Sequence, residues 1–212
     1  MIQGDMKRSS AVPLVLLGLL LLIGSPTEAS AGAPTDQLRA SVDQIIKVLE
    51  DPALKAESRA ADRRAAIRKE AEGVFDFGET AKRALGRHWQ NLSEKDRQEF
   101  TGLFADLIER AYISKIERYS GERIAYAGEA VDGALATVRT RFVTKQGTEV
   151  PIDYRMQQRG ERWLVYDVSV EGVSLINNYR TQFDKIIQTS SYAELVRKMK
   201  AAEFSAPASP RS

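Results

Sequence analysis

The sequence predicts an α+β domain: a small twisted antiparallel sheet of about four strands packed against several helices. Two observations carry this expectation. Apolar residues recur at helical spacing through the first half of the chain, switch to a period of two from Arg123, and return to a period near 3.6 at Gly172. The runs of period two are joined by links too short for a crossover, so they pair as an antiparallel meander.

Lys7 and Arg8 precede an apolar run from Ala11 to Ile23, and a polar stretch then ends at Ala29-Ser30-Ala31. A basic start, an apolar core too short for a membrane span and a small-residue cleavage site compose a secretory signal. Residues 1–31 are therefore predicted to be a cleaved signal peptide, residues 32–204 a single domain, and residues 205–212, rich in Pro, Ala and Ser, a disordered tail. The chain has no cysteine, so packing alone must stabilise it after export.

Leu38, Val42, Ile45, Ile46 and Leu49 lie at helical spacing after Thr35, read as an N-cap, and Asp51-Pro52 ends that helix. The next helix, to about Gly73, is rich in Ala and charge and is expected to be an outer element. Asp76 and Glu79 form a capping box ahead of Phe77, Ala81 and Leu85, with Gly86 closing the helix. Ser93 caps the most apolar helix, in which Phe100, Leu103, Phe104, Leu107, Ile108, Ala111 and Tyr112 form one broad face.

Strands are predicted at about 123–127, 134–144, 148–157 and 161–170, with turns at Asp132-Gly133, Gln146-Gly147 and Arg159-Gly160. Ala136, Val138, Thr140 and Phe142 share one face of the second strand, and Val150, Ile152, Tyr154 and Met156 one face of the third. The opposite faces carry charge. In the fourth strand, Trp163 and Val165 are expected on one side and Leu164, Tyr166, Val168 and Val170 on the other. After Gly172, Leu175, Ile176, Tyr179 and Phe183 form a helical stripe, and Ser191 with Glu194 caps a last helix.

The chemistry of the residues argues against most reactions. Lys and Arg number 31 and Asp and Glu 29, for a net charge of +2 that survives removal of the predicted signal. The two signs are interspersed, which dilutes any field of the kind nucleic acid needs. The single histidine, His88, stands at a helix end, and without a second histidine or any cysteine there is no zinc-ligand set. No phosphate-binding glycine motif is present. Asp167, in an apolar strand, is either an acid-base group acting with Tyr154 or a carboxylate held by a backbone amide or arginine; the second is favoured. Many large apolar residues remain, and composition alone does not separate a filled core from a lined cavity.

Phe75-Asp76-Phe77, Ala81, Leu85-Gly86-Arg87 and Trp89, followed by Phe100, Phe104 and Tyr112 and then by Tyr166-Asp167 and Glu171-Gly172-Val173-Ser174, resemble the MlaC-type family of periplasmic phospholipid-binding proteins, also called the toluene-tolerance family. The resemblance runs from about Asp36 to Phe204. It implies that helices and sheet enclose an apolar cavity for the acyl chains of a glycerophospholipid, with the head group near the mouth. It also implies a periplasmic monomer, without metal or cofactor, that ferries lipid between an outer-membrane lipoprotein complex and an inner-membrane ATP-driven transporter and so maintains outer-membrane asymmetry. On this reading the lipid contacts are Phe77, Leu85, Phe104, Leu107, Val138, Phe142, Ile152, Tyr154, Met156, Val168, Val173 and Ile176, and tryptophan at Val138 or Ile152 should displace lipid. The alternatives are a hopanoid-associated carrier of the same family, a small-substrate enzyme on a cone-shaped α+β scaffold using Asp167 and Tyr154, and an adaptor with a solid core.

Overall fold

The computed structural model describes residues 33–204, so the predicted signal peptide and tail lie outside the described residues. Helix α1 (Ala33–Glu50) begins ahead of Thr35, correcting the expected N-cap. The backbone N–H and hydroxyl of Thr35 instead donate to the Glu129 carboxylate, a partner distant in sequence that local pattern cannot reveal. Asp51 stops α1 and accepts from Ala53 N–H at 2.8 Å, opening the first of two short 3₁₀ turns. Helix α2 (Ala60–Val74) buries only Arg63, Ile67 and Val74, in keeping with the outer element expected there.

Asp76 caps α3 (Phe77–Leu85), accepting from Glu79 N–H at 2.8 Å, and Gly86 ends it at a φ of 57°, where a Cβ would be strained. A 3₁₀ turn (Gly86–Asn91) leads to α4 (Glu94–Ile116), capped by Ser93. Then come β1 (Arg123–Asp132), β2 (Leu135–Val143), β3 (Glu149–Arg159) and β4 (Arg162–Val170), followed by a two-residue β5 (Val173–Ser174) that the period-two pattern is too short to announce. Helices α5 (Leu175–Thr189) and α6 (Tyr192–Lys200) complete the domain, capped by Ser174 and Ser191. No described helix is long and apolar enough to cross a membrane.

The five strands pair in chain order, all antiparallel, which is the predicted meander with one more strand. Cross-strand partners share a face, so the rows Ala136–Met156–Val165, Val138–Tyr154–Val168 and Thr140–Ile152–Val170 line one side. This corrects the expected pattern of β4. The register slips between Arg155 and Met156, leaving Tyr166 as an extra residue, so Val168 and Val170 join Val165 on the apolar face. A bulge inverts parity, which strict alternation does not anticipate. Asp167 and Ser169 point the other way, and both are buried.

Apolar side chains gather in two cores. Leu38 of α1 and Val74 of α2 pack on Ala136, Val138, Met156 and Val165 of the sheet. A second core lies among helices: Ala84 and Leu85 of α3, Phe100, Phe104 and Leu107 of α4, Tyr179 and Phe183 of α5, Leu195 and Met199 of α6. Its aromatic rings meet mostly edge to face, with Phe104 at 5.3 Å from Tyr179 and 5.4 Å from Phe183 between centroids.

Candidate functional site

Between the two cores the packing opens. Helix α4 turns one stripe, Phe100, Phe104 and Leu107, into the helical core, while Ala105, Tyr112 and Ile116 face the sheet across a gap and Ile108 borders both. The single broad face expected of α4 is thus divided between a solid core and an open space. Helix α1 does likewise: Leu38 is buried against the sheet, whereas Val42, Ile45, Ile46 and Leu49 are only half-buried and look into the same gap.

The gap consists of two adjoining apolar pockets of about 560 and 330 Å³. The larger lies between α1, the end of α4 and the sheet residues Ile124, Phe142, Ile152 and Tyr154. The smaller lies between α2, α4 and Ile152, Tyr154, Val168 and Val170. Phe75, Tyr112, Ile116, Ile152 and Tyr154 wall both, so the pockets share a boundary made of side chains. The side chains that face one another across this volume are mostly apolar.

The residues expected to contact a ligand divide accordingly. Phe77, Phe142, Ile152, Tyr154 and Val168 line the pockets. Val138 and Met156 are fully buried in the sheet core, and Leu85, Phe104, Leu107 and Ile176 belong to the helical core. Val173 is exposed on β5, beside a separate polar recess. The walls that sequence reasoning missed are the stripe Val42, Ile45, Ile46 and Leu49 of α1 and Tyr112, Ile113 and Ile116 at the end of α4. Their helical spacing was legible, but spacing does not say whether a stripe meets a core or a void.

Two phenols, Tyr112 and Tyr154, border both pockets. Burial pushes the Tyr154 hydroxyl up to about 12, against a smaller opposing effect of the nearby Thr140 hydroxyl, so it stays a neutral phenol. The Tyr112 hydroxyl is buried without a hydrogen-bond partner. Asp167 stands on the opposite face of the sheet from Tyr154, because its cross-strand partner is Arg155. Its carboxylate accepts from Ile176 N–H at 3.2 Å, from the Ser174 hydroxyl at 2.7 Å and from Arg155 at 3.4 Å. That is the favoured structural reading of Asp167. His88 is bound to Asp184 at 2.7 Å, away from the pockets. Among the described residues no cluster of three potential metal ligands occurs.

The profile of the MlaC protein family matches residues 39–201. The intermembrane phospholipid transport system binding protein MlaC of Haemophilus influenzae is 25% identical over 122 residues, which are 55% of this chain and 57% of that protein. The match thus spans little more than half the length of that relative. A phospholipid-binding protein from Ralstonia solanacearum, solved in complex with a phospholipid, superposes with a TM-score of 0.67 at 22% identity, over 80% of this chain and 96% of that one, and so shares the fold. With the family profile covering both the sheet and the helical layers around the paired pockets, the chain belongs to the MlaC family.

Proposed function

We propose that this protein is a monomeric, non-enzymatic phospholipid carrier of the periplasm, holding the acyl chains of a glycerophospholipid in the paired apolar pockets. It moves lipid between an outer-membrane lipoprotein complex and an inner-membrane ATP-driven transporter and so maintains outer-membrane lipid asymmetry. The observation that carries this reading is the unfilled apolar space walled by Val42, Ile46, Tyr112, Ile116, Ile152 and Tyr154. Membership of the MlaC family supports it, as do the phospholipid bound by the Ralstonia solanacearum relative and the transport system named for the Haemophilus influenzae relative.

Energetics fit the role. Each methylene moved out of water contributes about 0.8 kcal/mol, so two acyl chains of about a dozen methylenes each would cost roughly 20 kcal/mol to expose. A carrier that encloses them makes transfer an exchange between two apolar surroundings. The net free energy is then small, no nucleotide is needed on the carrier, and direction comes from its partners.

The test is organic extraction of the purified full chain followed by mass spectrometry. A phospholipid at near-stoichiometric yield is expected. A hopanoid would reassign the cargo, and protein free of any amphiphile after expression in a membrane-bounded host would overturn the reading.

A further inference from the structure

Charge enters the larger apolar pocket at one end only. Leu38 and Val74 close its inner end and are buried, while Lys115 and Arg118, both exposed, line its outer end together with Glu122. Among the described residues, Lys115 and Arg118 have no carboxylate of their own. Glu117, between them in sequence, is turned away and accepts from Arg63 at 2.8 Å and Arg64 at 2.9 Å. Glu122 accepts from the backbone N–H of Ser120 at 2.7 Å and its hydroxyl at 2.8 Å. Among the described residues neither Lys115 nor Arg118 forms an ion pair, and the Lys115 Nζ stands 5.2 Å over the ring of Tyr112, the side chain that walls both pockets. Arg68, at the smaller pocket, differs: it is matched by Glu72, Asp106 and Glu109.

An amphiphile whose chains fill an apolar recess must leave its charged group at the water boundary, because burying an unpaired charge is prohibitive. We infer that Lys115 and Arg118 form an anion site at the outer end of the larger pocket that takes the phosphate of the bound lipid's head group. The inference rests on the carrier reading above and adds a polarity to it. The phosphate lies at the end of α4, and the chains run inward toward Leu38 and Val74 and past Ile152 and Tyr154 into the smaller pocket. Glu122 repels the same phosphate, so the site favours a single negative charge placed on the Lys115 and Arg118 side.

The experiment loads the full chain from phosphatidylcholine vesicles carrying trace fluorescent phosphatidylglycerol or fluorescent diacylglycerol with the same acyl chains. The readout is the ratio of the two tracers retained. The wild type is expected to favour phosphatidylglycerol, and the double variant K115Q/R118Q to lower that ratio by about fivefold or more, the effect of two partly screened ion pairs. The charge-keeping variant K115R/R118K should restore it. A ratio unmoved in K115Q/R118Q overturns the head-group site while leaving the carrier reading intact. Inorganic phosphate binding to lipid-free protein through the same two residues, with the lipid ratio unmoved, assigns them to a free anion and equally overturns it. Wild-type protein that retains neither tracer fails the carrier reading itself.

Discussion

Arg63 of α2 donates through Nη2 and Nε to one oxygen of Glu117, at 2.8 and 3.1 Å, and so ties the outer helix to the end of α4 across the rim of the pockets. A third hydrogen bond, from Nη1 to the Leu54 carbonyl at 2.8 Å, secures the turns that lead into α2. Both partners of the ion pair are nearly buried, with side-chain exposures of 11% and 12%.

Arg63→Ala should therefore lower unfolding free energy by about 2–3 kcal/mol in urea titration, since it leaves a shielded carboxylate short of donors. Arg63→Lys should recover little, because an ammonium cannot reproduce three directed hydrogen bonds. Hydrogen bonding from Arg64, then from Arg63, outweighs burial and holds the Glu117 carboxyl below the ordinary carboxylate range. A depressed folded pKa adds stability that is present above the unfolded value and is lost as pH falls through the folded one. Stability should hold near neutrality and decline below about pH 4.5. Glu117→Gln should start lower and decline less over that acid range.

Tryptophan substitutions separate wall from core. Ile152 borders both pockets, so Ile152→Trp places an indole in the shared boundary and should yield a folded protein with less co-extracted lipid. Val138 was expected to act alike but is fully buried against the sheet core. Val138→Trp should instead overpack that core and reduce stability by about 1–3 kcal/mol. Lipid yield and melting temperature measured on both variants check the distinction; equal loss of lipid in two equally stable variants would contradict it.

How far the sequence could be read follows from which facts are local. Ser93, Asp76 and Ser191 announced their helices because a cap is a contact within one turn. The hairpins were legible because Gly133 and Gly160 supply the positive φ that short turns require. Thr35 misled because its partner, Glu129, lies on a strand far along the chain. Val168 was placed on the wrong face because the bulge at Tyr166 depends on pairing with β3. The site was half legible for a similar reason. Ile152 and Tyr154 alternate correctly, but whether Phe104 or Ile108 meets the void depends on how α4 is rotated, which only the packed structure decides.

Asp167 is a structural hinge pin between strand and helix. It accepts from Ile176 N–H at the start of α5 and from Ser174, whose hydroxyl in turn accepts from Asn177 N–H at 3.0 Å. Asp167→Ala leaves that amide unsatisfied within a buried setting and should cost about 2–4 kcal/mol. Asp167→Asn keeps one acceptor and should cost about half as much. Thermal and urea denaturation read both values. An unchanged melting temperature in Asp167→Ala would show that α5 does not depend on this cap.

Six tyrosines, Tyr112 and Tyr119 among them, are raised by burial and make the fold sensitive to alkali. Burial raises Tyr126, Tyr154 and Tyr192 to about 12, and Tyr179 further, with burial the leading cause in each. A phenol whose folded pKa lies above its unfolded value of 10 contributes stability fully present below that value and lost as pH rises through the folded one. Stability should therefore be flat with respect to these groups up to about pH 10 and fall between about 10 and 12. Their phenolate absorbance should appear together with loss of near-ultraviolet circular dichroism, because Tyr154 and Tyr179 ionise only once they meet water. Tyr154→Phe preserves the ring and removes one titrating hydroxyl, so its unfolding should shift to higher pH. An unshifted alkaline midpoint in that variant would mean that the Tyr154 hydroxyl already reaches solvent through the pockets.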